Sequence, residues 1–86
     1  MTTNTDLTIK SVKIHLSASE NQKGIDNHRR IATYLEAAAK NHLYAAKHHE
    51  NGEHEKAAQC TIIAMGFHRM AGDAQREDLR HHALNG

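Results

Sequence analysis

Alanine recurs at seven-residue intervals in two blocks: Ala32, Ala39 and Ala46, then Ala57, Ala64 and Ala71. A single Asn51-Gly52 step lies between them. Seven residues are two turns of an α-helix, so each block marks one stripe along a helix. Glycine suits the left-handed conformation just past a helix end, and Asn-Gly is a turn signal. Folding the chain back at this step sets Ala46 against Ala57, Ala39 against Ala64 and Ala32 against Ala71. One antiparallel register satisfies all three pairs. Small facing residues let two helices approach at the short end of the roughly 8–10 Å range. The spacing therefore predicts an all-α fold, an antiparallel two-helix hairpin.

The helix ends are read from capping chemistry. Asp26 is a candidate N-cap for the first helix, which would run to about residue 50. Glu53 and Glu55 favour the positive end of a second helix over about 53–83. Gly66 and Gly72 lie inside it, but the apolar period continues past Gly72, which predicts one unbroken helix. No proline occurs anywhere in the chain. Residues 1–24 differ: they are rich in Thr, Ser, Asn and Lys around an apolar island of Leu7, Ile9, Val12, Ile14 and Leu16. Two short alternating runs of opposite phase suggest an extended or disordered arm. The division expected is an arm over 1–24 and a helical hairpin over 25–86.

Bulk is scarce. Tyr34, Tyr44 and Phe67 are the three aromatics, and tryptophan is absent. A hairpin sealed by alanine leaves its larger apolar residues over. Ile31, Leu35, His42 and Leu43 lie beside the ladder on the first helix. Cys60, Ile63, Phe67, His68 and Met70 lie beside it on the second. A two-helix hairpin cannot bury both flanks, and small chains gain stability by association. These nine residues are the expected interface of a homodimeric four-helix bundle. A further protein partner could use the same surplus.

Charge and motifs exclude other classes. Eleven basic residues balance ten acidic ones, without the clustered basic face of a nucleic-acid binder or the polybasic patch of a membrane-surface protein. No run of 18 apolar residues offers a membrane span. Cys60 is the one cysteine, so no intrachain disulfide forms and a reduced cytoplasmic setting is expected. It reads as a small seam filler rather than a nucleophile. No glycine-rich phosphate loop or nucleophile elbow occurs. A non-enzymatic protein that acts by homo-oligomerisation and protein interaction is the expectation.

Nine histidines raise an alternative: a module that binds a divalent transition metal, or one that responds to pH. His28, His42 and His49 share one heptad position with Leu35, and His68 sits on the matching flank of the second helix. At the hairpin turn, His49 and His54 offer donors that suit zinc, nickel or copper. At the open end, Asp78 and His82 are four apart on one helix face. The alanine register brings His28 towards them, which makes His28, Asp78 and His82 the preferred metal triad. No other cofactor is implied. Were His28, His42 and His68 buried neutral, stability would fall as pH drops through the ordinary imidazole value near 6.5.

The stretch Ala45-Ala46-Lys47-His48-His49-Glu50-Asn51-Gly52-Glu53-His54-Glu55-Lys56-Ala57-Ala58 resembles the centre of a group of small, His- and Ala-rich bacterial proteins. Their hallmark is a helical HHxxAA pattern followed by HHExGxHEKA. Ala64, Gly66-Phe67-His68 and the segment Gln75 to Leu84 are similar as well, so the resemblance covers roughly 26–84. It implies the helical-hairpin fold and carries no activity. Tyr34-Leu35 and Asn41-His42 stand where that group often has His pairs, which thins any metal stripe. The turn also looks like a single tetratricopeptide hairpin, through Gly52, the following acid, Ala57 and Ala64. One copy without the closing proline implies a hairpin geometry, since such repeats need about three neighbours to form an array.

Overall fold

The computed structural model describes the backbone of residues 18–85 and the side chains as far as His81. Two helices make up the fold: α1 over Ala18–Glu50 and α2 over His54–Asn85. They pack along their length into a body of 55 × 26 × 17 Å. A single layer of two helices has one seam and no second layer to cover its flanks.

The turn is a Schellman motif. Gly52 adopts a φ of +77°. Its N–H donates to the His49 carbonyl at 3.0 Å, and the Glu53 N–H donates to the His48 carbonyl at 2.7 Å. These two bonds satisfy carbonyls that the end of α1 would otherwise orphan. Glu53 then becomes the N-cap of α2, because its own carbonyl accepts from the Ala57 N–H at 3.0 Å. Three residues thus end one helix and begin the next.

The seam is built from small side chains. On α2, Ala57, Ala64, Ala71 and Ala74 are buried. On α1, Ile31, Ala38 and Ala45 are buried. Ile31 is the one large side chain in this core, and no polar residue among those described is buried. Asn27 and Asn41, both half-buried, each find a carbonyl. The Asn27 amide donates across the seam to the Ala74 carbonyl at 3.1 Å, and the Asn41 amide donates to the Ala37 carbonyl at 2.9 Å.

Three sequence expectations change. The stripe of α1 is displaced by one residue, for Ala32, Ala39 and Ala46 are exposed. Burying them would have turned His28, Leu35, His42 and His49 towards the seam. The observed phase instead buries Ile31 and half-buries Tyr34. It gains the larger apolar side chains and leaves three imidazoles hydrated, which avoids the cost of desolvating polar rings. Second, α1 begins at Ala18, so residues 18–24 are helical and Asp26 is an interior position. There Asp26 accepts a hydrogen bond from Gln22 at 2.9 Å. The remaining arm, 1–17, lies outside the described residues. Third, α2 passes through Gly66 and Gly72 unbroken, as expected, but starts at His54 and reaches Asn85.

Substitution by leucine separates the two phases of α1. Ala38→Leu is expected to cost about 1–3 kcal/mol by overpacking, and Ala39→Leu to stay within about 0.5 kcal/mol. Urea denaturation followed by circular dichroism measures both. Gly52→Ala forces a Cβ into the left-handed region and should cost about 1–2 kcal/mol in the same assay.

Candidate functional site

The one-residue phase of α1 sorts the remaining side chains onto two flanks of the seam. In an antiparallel pair, the positions on either side of the seam meet their counterparts on the same side of the partner helix. One flank is histidine-rich. Here the His42 and His68 rings lie with centroids 6.0 Å apart, and the His49 and His54 rings 5.0 Å apart. The Nδ1 atoms of His49 and His54 are 2.8 Å apart. Towards the open end, His28 Nε2 lies 3.4 Å from Asp78 Oδ2.

The opposite flank is apolar. Tyr34 and Phe67 place their rings 6.5 Å apart, both half-buried. Heptad spacing puts Tyr44 on α1, with Ile63 and Met70 on α2, along the same side. Their exposures are 49%, 49% and 44%, values that leave half of each side chain without a partner inside the hairpin. An ion pair closes each end of this flank. Arg30 meets Glu77 at 3.4 Å, and Lys56 meets Glu53 at 3.4 Å. A shallow groove lined by Arg30, Tyr34, Met70, Asp73 and Glu77 runs beside the first pair.

The nine residues expected at an interface therefore do not share one surface. Ile31 is in the seam and unavailable. Leu35, His42 and His68 belong to the histidine flank. Ile63, Phe67 and Met70 belong to the apolar flank, next to the half-buried Cys60. Leu43 points away from both, at 70% exposure. Tyr34 and Tyr44 were missed as flank residues. The signal for them was present, since both fall on the Ile31 side of α1 once that residue sets the phase.

The metal expectations also divide. His28 and Asp78 approach one another as expected, although the alanine stripe behind that expectation is displaced by one residue, and the His82 side chain lies outside the described residues. His49 and His54 converge closely. Among the described residues, no cluster of three or more His, Cys, Asp or Glu side chains has the geometry to hold a metal ion. His28, His42 and His68 are exposed, so the burial that a desolvation-driven pH response needs is missing at all three.

His48 takes a role that sequence did not suggest. Its Nδ1 lies 2.8 Å from Glu53 Oε1. In a Schellman motif these two positions usually make an apolar contact; here a hydrogen bond to a carboxylate replaces it. The His48 bond and, next, the charge of Lys56 hold the Glu53 carboxyl below its ordinary 4.5. No helix among the described residues is long and apolar enough to cross a membrane. No family model matches the chain, no curated protein matches its sequence, and no solved structure matches its fold.

The sign of the pH dependence follows from the lowered carboxyl. The stabilisation from Glu53 is fully present above about 4.5 and is lost as pH falls through the lower folded value. Glu53→Gln should therefore lose less stability than the native chain between about pH 5 and pH 3. Thermal melts across that range measure the difference.

Proposed function

We propose that the chain is a non-enzymatic, cytoplasmic interaction protein that works as a homodimer, two hairpins stacking through their apolar flanks into a four-helix bundle. The observation that carries this reading is the mismatch between core and flank. The seam buries one isoleucine and six alanines, while Tyr44, Ile63 and Met70 stand about half exposed on one side. Burying a large apolar side chain contributes about 1.5–3 kcal/mol. The flank therefore holds stabilisation that the single hairpin leaves unused.

The geometry of the flank suits a two-fold contact. Tyr34, Tyr44, Ile63, Phe67 and Met70 occupy the middle of the hairpin, and an ion pair sits at each end. A two-fold axis through the middle would lay the patch on itself, as isologous interfaces require. It would also set one ion-paired end near the other, which contributes orientation more than affinity. Two single layers stacked in this way give the two-layer arrangement that buries one core. The lone, half-buried Cys60 suits a reducing compartment.

Light scattering coupled to gel filtration should give twice the chain mass at micromolar concentration. Ile63→Lys and Tyr44→Glu should each give the chain mass with helical circular dichroism retained. Leu43→Lys, on the far side of α1, should leave the dimer intact. A native chain that elutes at its own mass under these conditions would overturn the reading.

A further inference from the structure

The histidine pair at the turn has a geometry that the dimer does not use. His49 is in the last turn of α1 and His54 is the first residue of α2. Between them lies the Schellman turn, whose bonds from Gly52 and Glu53 hold the backbone at both sides. The short, doubly bonded loop therefore fixes the backbone positions from which the two imidazoles extend. Their Nδ1 atoms are 2.8 Å apart. Without a metal, such a contact works only when one Nδ1 carries a proton and the other accepts it.

The separation also matches a chelate. Two nitrogens about 2.0 Å from one metal and 2.8 Å from each other subtend about 90° at that metal. Adjacent corners of a tetragonal or square-planar ion have that angle. Both rings are exposed, so water can fill the remaining positions. The Glu53 carboxylate at the same turn is engaged by His48 and Lys56. Glu50 and Glu55 are each adjacent in sequence to one of the two histidines, and they add negative charge at the same end.

The geometry points to His49 and His54 as a two-nitrogen site for a divalent transition metal, with copper(II) the strongest candidate. Copper stands highest in the affinity order of first-row divalent metals, and imidazole suits it. On binding, the donor ring places its proton on Nε2 instead, and both Nδ1 lone pairs face the ion. A pair of neutral rings releases no proton in this step, and a pair carrying an extra proton releases one, so acid weakens binding. The other contacts on this flank are poorer. His42 and His68 meet at 6.0 Å between ring centroids, and His28 meets a carboxylate. The site lies within one hairpin, so its stoichiometry does not depend on the dimer.

The test is calorimetry with copper(II) chloride on the full, untagged chain, paired with electron paramagnetic resonance. The expected result is one copper per chain with an axial signal split by two nitrogens. Loss of an outer-shell partner alone costs about 10–100-fold in metal affinity, so removing a ligand should cost at least tenfold. His49→Gln and His54→Gln should each lose that bound copper in this way. His42→Gln and His68→Gln should keep it. Circular dichroism of every variant checks that the hairpin is folded. Copper bound as tightly by folded His49→Gln or His54→Gln as by the native chain would overturn the site. A signal showing one nitrogen or none would overturn it as well.

Discussion

Alanine at the seam is the constraint from which the rest of the structure follows. A side chain of one methyl lets two helices come close, but each buried methyl contributes only about 0.8 kcal/mol. A core of six alanines and one isoleucine is therefore close in geometry and poor in apolar burial. Polar contacts add to it at two places. The Schellman turn ties α1 to α2 with two backbone bonds. Towards the open end, Asn27 bonds to the Ala74 carbonyl and Arg30 pairs with Glu77. The hairpin is tied at its turn and again across Asn27 and Ala74, and only lightly filled between them.

The turn and α2 were legible because their signals are unambiguous. Asn51-Gly52 is the one break in a long helical pattern, and Ala57, Ala64 and Ala71 have no competing alanine stripe on their helix. The phase of α1 was not legible from alanine alone. Ala37-Ala38-Ala39 and Ala45-Ala46 offer several stripes of equal spacing, and only the company each stripe keeps decides among them. Ile31 and Tyr34 decide it, because a phase that buries them also leaves the imidazoles hydrated. The start of α1 had its own signal. Ser17-Ala18-Ser19-Glu20 has the sequence spacing of a capping box, and a single glycine at position 24 costs a helix only about 1 kcal/mol.

The same phase separates residues that look equivalent in sequence. His48 and His49 are neighbours, yet one successive step around a helix turns a side chain by about 100°. His48 faces the seam end and bonds Glu53, where it serves the turn. His49 faces the flank and meets His54. Sequence offered His49 as a donor at the turn and had no means to set His48 apart from it, because the division depends on which face of α1 is inside. Glu53 was likewise read as an acid favouring the helix dipole. It also spans the turn, caps α2 through its backbone and receives His48 and Lys56 on its carboxylate.

Two unlike flanks on one thin body would keep the proposed dimer contact and the proposed metal site from competing. A copy docked on Tyr34, Tyr44, Ile63, Phe67 and Met70 would cover one side of the seam. His42, His49, His54 and His68 stand on the other. A dimer would thus leave the imidazole pairs in solvent, and an ion at the turn would leave the apolar side chains free to pack. Had α1 adopted the neighbouring alanine stripe, His42 and His49 would have entered the seam and Ile31 would have left it. The hairpin would then have carried buried imidazoles and a weaker core. One residue of phase therefore sets the stability of the hairpin and the separation of its surfaces together.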